Sequence, residues 1–207
     1  MASTAQPVAE VCAQAKRAAR ELGLLDTATK NAALEAMADA LEKRKHEILE
    51  ANARDMEAGE EAGLHSGLLD RLKLDEERIA GICQDVRSIA ALPDPVGETI
   101  EGHRLDNGLD VRRVRVPLGV VAVVYEARPN VTIDCSALCL KSGNAIVLRG
   151  SSTASHSNAV LAQIAANAVQ WAGIPDGAIS IVSGGDRDEL RQLATQDGVL
   201  DLIIPRG

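Results

Sequence analysis

Aromatic residues are almost absent from this 207-residue chain, which has no phenylalanine and only Tyr125 and Trp171. Basic charge is also scarce, because 22 lysines and arginines are outnumbered by 30 aspartates and glutamates, which gives a formal net charge of −8. Nucleic-acid binding needs cations for the phosphates and aromatic rings for stacking on the bases. The composition therefore argues against a nucleic acid as a partner.

Long apolar runs and ordered cysteine patterns are missing as well. No apolar run approaches the length of a membrane span, and residues 1–11 lack the basic start and apolar core of a secretion signal. The four cysteines show neither a disulfide-rich pattern nor the CxxC spacing of a metal site. We therefore expect a cytoplasmic protein with reduced thiols, no metal and no membrane contact. His46 and His65 have no clustered ligand partners and are expected to face solvent.

Glycine-rich phosphate motifs are the last notable absence. Neither GxGxxG nor GxxxxGK occurs in the chain, so the residues by themselves leave the ligand open. With 46% apolar and 25% charged residues, the chain has the composition of a globular protein, with one large or two small domains.

What is present begins with helical periodicity. Apolar residues recur every three or four positions from Val8 to Leu22, and the same spacing follows from Asp26 to Ile48 with a break near Arg44. A third helix is predicted from Asp75 until Pro93 ends it. These helices carry no catalytic constellation and are predicted to be scaffold.

After Pro95 the period changes from 3.6 to 2, which predicts strands. The alternation from Val111 to Val116 puts Arg113 and Arg115 on one face of a strand, and the Asp-Asn-Gly sequence at 106–108 predicts a hairpin turn before it. Two interpretations of the arginines stay open, a charged strand face and a substrate role.

From residue 119 onward, strand and helix signals alternate. Short runs rich in valine and isoleucine predict strands at 119–125, 145–148, 178–182 and 199–204. Helical patterns fill the intervals, among them 155–171 and 186–195. This alternation predicts an α/β fold with a doubly wound parallel sheet.

Polar segments follow the first two strands of this sheet. Pro129 ends the first strand and Asn130 is placed to cap the next helix, while Arg149 opens the polar segment after the second strand. Ligands of open parallel sheets bind beyond the carboxyl ends of the strands, so both segments are expected to face one crevice. Lys141 is expected to stabilise the end of its own helix.

Four segments of this region resemble a known family. The chain resembles the gamma-glutamyl phosphate reductases, the proline-biosynthesis branch of the aldehyde dehydrogenase superfamily, in the segments VPLGV, YEARPNVT, LCLKSGNA and LRG. The resemblance implies a helical lead-in over 1–95, a hairpin over 96–117 used in subunit association, and an NADP-binding Rossmann-like domain over 118–207. A homo-oligomer is expected on that ground. Because the chain ends directly after a strand, we expect the Rossmann-like domain to be truncated.

The resemblance also implies a nicotinamide cofactor held without a glycine motif. Arg149 corresponds to the residue, usually lysine, that reaches the adenosine ribose, and Ser152 lies where NAD-preferring members carry a glutamate. A guanidinium beside the hydroxyls of Ser151 and Ser152 at a helix N-terminus suits a 2′-phosphate, so NADP(H) is expected. Gly184 is a candidate for letting the adenine approach the backbone. The alternative is that the hydroxyls of residues 151–153 only cap the helix.

The implied reaction is the NADPH-dependent reduction of L-glutamyl 5-phosphate to L-glutamate 5-semialdehyde, with release of phosphate. Arg128 is expected to bind a substrate carboxylate or the acyl phosphate, and Asn130 to donate to the developing oxyanion. The register leaves Glu126 as an alternative to Asn130 for that position. The family's cysteine nucleophile has no counterpart in this chain, and Cys135 and Cys139 are predicted to be poor substitutes, so the chain alone is expected to be inactive.

Two rival functions remain open at this stage. One is another aldehyde dehydrogenase-like acyl-group reductase, acting on a different acyl phosphate, acyl-CoA or aldehyde. The other is a non-catalytic module for nucleotide binding or oligomerisation.

Overall fold

A computed structural model describes residues 6–182, 185 and 187–206. The helices are α1 (Val8–Leu22), α2 (Thr27–Lys43), α3 (Lys45–Glu61), α4 (Ser66–Leu72), α5 (Glu76–Ala91), α6 (Asn130–Lys141), α7 (Ser155–Trp171) and α8 (Arg187–Ala194). The strands are β1 (Thr99–Arg104), β2 (Asp110–Val114), β3 (Val120–Tyr125), β4 (Ala145–Arg149), β5 (Ile179–Ile181) and β6 (Leu202–Arg206). None of these helices has both the length and the apolarity to cross a membrane.

The predicted sheet is confirmed as a four-stranded parallel sheet in the order β5-β4-β3-β6. The central strands β3 and β4 are almost entirely apolar because helices cover both faces of the sheet. Val121, Val123 and Tyr125 pack on one face against residues of α2, α5, α6 and α7. Val120 and Ala122 pack on the opposite face against α1 and α8. The fold is therefore α/β with helices on both faces of the sheet.

Helix α1 is tied to the start of the sheet by one carboxylate. Lys16 Nζ lies 2.7 Å from Asp201 Oδ2, and the same oxygen accepts a hydrogen bond from the Val120 N–H at 2.8 Å. Gly119 has a φ of +124°, and a Cβ there would collide with this carboxylate. Glycine at 119 thus lets β3 begin beside the loop that precedes β6.

The helical part differs from the prediction in one element. The break near Arg44 is confirmed, and Asp26 and Asp75 cap α2 and α5 by accepting backbone N–H groups. Helix α4 was not predicted, because its seven residues are too few to show a clear period. His46 is exposed as expected, and the exposed His65 accepts the Leu68 N–H at the start of α4.

Strands β1 and β2 form a separate antiparallel hairpin, and all of their residues are exposed. The predicted turn at 106–108 is confirmed, with a hydrogen bond from the Gly108 N–H to the Leu105 carbonyl and a φ of +87° at Gly108. Arg113 lies 3.3 Å from Glu101 across the hairpin, and Arg115 lies 2.7 Å from Glu98. The structure therefore favours the charged-face interpretation of these arginines.

The last strand starts later than predicted. Val199 and Leu200 donate to the Gln196 carbonyl and so belong to a turn, and β6 begins at Leu202 and runs through Pro205. Proline is tolerated there because β6 has β3 as its single neighbour among the described strands. Strand β5 is also shorter than the predicted 178–182.

Two lysines are buried where α2, α5 and α6 meet. Lys30 is only 1% exposed and its Nζ lies 2.6 Å from Asp94 Oδ2. Lys141, 3% exposed, donates to Asn31 Oδ1 at 2.6 Å and to the Ala90 carbonyl in the last turn of α5 at 2.7 Å. Lys141 lies in the last turn of α6 as predicted, and its bonds to α2 and α5 were not predicted, because only tertiary packing brings those helices within its reach.

Candidate active site

A buried hydroxyl network holds the carboxyl end of β3 against two helices. Tyr125 Oη and Thr132 Oγ1 share a hydrogen bond of 2.7 Å, and Thr132 Oγ1 donates to Asn158 Oδ1 at 3.0 Å. Tyr125 ends β3, Thr132 is on α6 and Asn158 is on α7. This network fixes the positions of the loops that follow the strand.

Gly150, the first residue after β4, packs directly against Tyr125 and Asn158 of this network. A Cβ at this position would collide with the Asn158 amide and contact the Tyr125 ring. Because β3 and β4 are parallel neighbours with Val124 opposite Arg149, their carboxyl ends open on the same edge. The structure thus brings the two predicted polar segments together, as the sequence predicted.

Arg149 lies at the end of β4 beside an acidic residue of α8. Its side chain is 16% exposed, and its Nε lies 4.0 Å from Oε2 of Glu189, which is 13% exposed. The sequence analysis did not foresee this carboxylate. A ligand phosphate at Arg149 would compete with Glu189 for the guanidinium.

The N-terminus of α7 is also occupied by a carboxylate. Asp55 of α3 accepts the N–H groups of His156 and Ser157 at 3.1 and 2.8 Å, the Ser157 hydroxyl at 2.6 Å and His156 Nδ1 at 2.8 Å. Asp55 is 2% exposed. Two amides of the first turn of α7 are therefore already satisfied from within the protein.

The hydroxyl residues predicted to bind the cofactor, Ser151 and Ser152, lie just before α7, where Ser152–Ala154 form a short 3-10 turn. Ser151 Oγ accepts the Thr153 N–H at 3.2 Å, which makes it a cap of this turn, whereas Ser152 is exposed. Ser151 thus caps this turn, and whether it also binds the cofactor remains a prediction. Gly184 lies outside the described residues.

The loop after β3 borders a cavity of about 390 Å³. Arg128 and Asn130 line it, together with residues of α4, α5 and the loop between them. Arg128 is exposed, and it also lines a second cavity of about 190 Å³ with Glu126 and Arg206. Arg128 therefore faces open space on both sides.

Asn130 is the first residue of α6, and the prediction that its side chain caps this helix was wrong. Pro129 precedes the helix at the cap position, and no side chain caps it. The amide of Asn130 instead donates to Asp134 Oδ2 at 2.9 Å. Glu126 stays exposed in the loop, so the choice between Glu126 and Asn130 as the oxyanion-binding position remains a prediction.

The cysteines have the poor reactivity that the sequence predicted. Burial raises the pKa of the Cys139 thiol to about 12 and that of Cys12 to about 11. Burial is also the main cause of the raised pKa of Cys135, where the charge of Arg206 lowers the pKa and that of Asp134 raises it. A thiol with such a pKa is a weak nucleophile at neutral pH.

Besides Glu189, the sequence did not predict three further carboxylates near the site: Asp55, Asp85 and Asp134. Asp55 was read as part of a scaffold helix, and no local signal shows that it reaches α7 across 102 residues of sequence. Asp134 stands four residues after Asn130, the spacing at which side chains on a helix interact, so this pair had a local signal.

Proteins of similar sequence and structure identify the family of this chain. A sequence model of the Aldehyde dehydrogenase family matches residues 1–204. The chain belongs to the aldehyde dehydrogenase family. Gamma-glutamyl phosphate reductase of Clostridium novyi is 49% identical over 200 residues, which are 97% of this chain and 48% of that protein. The chain thus spans about half the length of the curated relatives it matches.

Solved aldehyde dehydrogenase-family structures give the same result. Gamma-glutamyl phosphate reductase of Thermotoga maritima matches with a TM-score of 0.95 and 37% identity, covering 98% of this chain and 49% of that one. The corresponding enzyme of Saccharomyces cerevisiae matches with a TM-score of 0.90 and 31% identity, covering 98% and 52%. Aldehyde dehydrogenase-family enzymes bind a nicotinamide cofactor.

Proposed function

We propose that this chain forms the N-terminal, cofactor-binding part of a gamma-glutamyl phosphate reductase of proline biosynthesis. The reaction converts L-glutamyl 5-phosphate to L-glutamate 5-semialdehyde and releases phosphate. The supporting observation is that Arg128 and Asn130 border a cavity at the same sheet edge at which Arg149 ends β4. A substrate and a cofactor bound there would meet at the carboxyl ends of β3 and β4.

NADPH is the proposed cofactor, and it would supply the hydride. The residues fit its adenosine end, because the Arg149 guanidinium and the exposed Ser152 hydroxyl are groups that bind a 2′-phosphate. Gly150 adds no side chain at this point of the edge. Glu189 lies 4.0 Å from Arg149 Nε, and a 2′-phosphate bound there would compete with it for the guanidinium.

Arg149→Ala should weaken NADPH binding by at least roughly tenfold and leave NADH binding nearly unchanged, because a charged hydrogen bond to the 2′-phosphate is lost. Glu189→Gln should shift the preference further toward NADPH, because a competing carboxylate is removed. Isothermal titration calorimetry with both cofactors measures these affinities.

Arg191→Ala is the matched control, because Arg191 is an exposed arginine on α8 that pairs with Asp188. Equal affinities of the unsubstituted chain for NADPH and NADH, or unchanged NADPH binding in Arg149→Ala, would contradict the cofactor assignment.

At the substrate end, Arg128 is proposed to bind a carboxylate or the acyl phosphate, and one N–H of the Asn130 amide to stabilise the developing oxyanion. The second N–H of that amide donates to Asp134, which orients the group. The nucleophilic cysteine has no counterpart among residues 1–207, so the chain by itself is proposed to be inactive.

The reaction itself is best tested in a joined enzyme, in which residues 1–206 replace the matching segment of the Clostridium novyi relative. We expect this joined enzyme to reduce NADP⁺ when L-glutamate 5-semialdehyde and inorganic phosphate are both present, and the unjoined chain to show no turnover. Absorbance at 340 nm follows the reaction.

A joined enzyme that binds NADPH but oxidises only other aldehydes, or works without phosphate, would show a different acyl-group reductase. A joined enzyme that binds NADPH and turns over no aldehyde would favour a non-catalytic module. The homo-oligomeric state and the cytoplasmic location remain predictions.

A further inference from the structure

The cavity beside Arg128 has walls of mixed charge. Asp70 and Arg78 already bind each other, with Arg78 Nη2 lying 2.7 Å from Asp70 Oδ1. Arg78 also donates to the carbonyl oxygens of Asp70 and Lys73, which fixes the loop between α4 and α5. These two charges are therefore already compensated within the wall.

The remaining charges of the wall have no such partners. In the part of the chain that the structure describes, four further charged side chains line the cavity without a hydrogen bond or ion pair to another residue: Arg71, Lys73, Asp85 and Arg128. All four belong to exposed residues. Asp85 is on α5, whereas Arg128 is on the loop after β3. The cavity thus presents an anion and cations to its occupant from separate elements.

A second carboxylate, Asp134, does not line the cavity but accepts a hydrogen bond from Asn130, which does. Burial raises the pKa of Asp134, and the charge of Asp85 raises this pKa too, while the Asn130 hydrogen bond and the charge of Arg206 lower it. Asp134 Oδ1 is buried and has no hydrogen-bond partner among the described residues. A cation bound at Asp85 would be attracted by both carboxylates.

We propose that Asp85 binds the α-ammonium group of an amino-acid substrate in this cavity, while Arg128 binds the α-carboxylate. This assignment rests on the proposed function, in which the substrate is a glutamyl derivative. The volume of about 390 Å³ is at the lower end of the range of small-molecule sites, which suits a ligand of this size. Asp85 is thus a specificity-determining residue that selects amino acids over simple dicarboxylic analogues.

The test compares two aldehydes in the joined enzyme: L-glutamate 5-semialdehyde and glutarate semialdehyde, which has the same length but lacks the ammonium group. Asp85→Asn should reduce kcat/KM for L-glutamate 5-semialdehyde by about 10- to 100-fold, mainly by raising KM. The kcat/KM for glutarate semialdehyde should be unchanged, because it has no ammonium group. The preference for the amino substrate should therefore collapse. Arg128→Gln should lower kcat/KM for both substrates, because both carry the carboxylate.

Glu77→Gln is the matched control, because Glu77 is an exposed carboxylate of α5 that does not line the cavity. A simple loss of folding would reduce turnover of both aldehydes equally, so the ratio of the two kcat/KM values isolates recognition of the ammonium. An unchanged ratio in Asp85→Asn overturns the assignment while the proposed function stands. If the unsubstituted joined enzyme binds NADPH but oxidises neither aldehyde, the proposed function fails and this assignment fails with it.

Discussion

We expect Asp94→Asn to lower the free energy of unfolding by about 3–5 kcal/mol, because it leaves the buried Lys30 without its counter-charge. Asp94 Oδ2 lies 2.6 Å from Lys30 Nζ and accepts the Thr27 hydroxyl at 2.7 Å, while Oδ1 accepts the Val96 N–H at 3.0 Å. The buried Lys141 adds a second cation to this region. Urea unfolding followed by circular dichroism measures the loss.

Two controls separate the buried charge from other effects. The double variant Lys30→Met with Asp94→Asn should recover much of the lost stability, because replacing both members of a buried pair removes the uncompensated charge. Asp39→Asn breaks an exposed pair with Arg87 and should cost less than about 1 kcal/mol. A double variant no more stable than Asp94→Asn would contradict this account.

The same pair predicts how stability depends on pH. Burial raises the pKa of Asp94, but the hydrogen bonds from Lys30, Thr27 and Val96 and the charge of Lys30 lower it by more, so its pKa in the folded chain is below the usual value. A carboxyl group of this kind contributes stability above its unfolded pKa of about 3.9, and that contribution is lost as the pH falls through the folded pKa. The stability difference between the unsubstituted chain and Asp94→Asn should therefore be constant near pH 7 and shrink below about pH 4.

The second large effect is expected for Asp55→Ala, which should cost about 2–5 kcal/mol. This change leaves the N–H groups of His156 and Ser157, and the Ser157 hydroxyl, without their buried acceptor. It also removes one of the polar contacts between the start of α7 and α3, where Asn52 still donates to the Ser157 hydroxyl at 3.1 Å. Urea unfolding measures the stability loss, and hydrogen exchange should show lost protection in the first turn of α7 before the rest of the helix.

Asp26→Ala is the matched control, because Asp26 caps α2 at the surface and accepts one N–H, that of Thr29, at 2.8 Å. We expect it to cost about 1 kcal/mol. Equal losses in the two variants would show that the buried position of Asp55 adds nothing to ordinary capping.

The fold was largely predictable because its signals are local. The apolar runs at β3 and β4 predicted buried strands. The spacing of apolar residues predicted amphipathic helices at α1, α2, α5 and α7. The errors fell where local signals are short or are overridden by contacts, as in the seven-residue α4 and the start of β6.

The candidate site was predictable only in part. The sequence placed Arg128, Asn130 and Arg149 after neighbouring strands, and the parallel sheet brings these strand ends to one edge. It did not predict the partners of these residues. Glu189 beside Arg149 and Asp55 at α7 come from elements that are 40 or more residues away in sequence, and only packing brings them there.

The sequence by itself thus determined the elements, their α/β order and the edge at which we propose that a ligand binds, because periodicity and strand ends are encoded by neighbouring residues. The tertiary structure decided which charges are already satisfied. Asp55 accepts hydrogen bonds from the start of α7, whereas Asp85 and Arg128 line an open cavity. The physical reason is that pairing depends on distance in space, and residues such as Asp55 and Ser157 meet only after the chain has folded.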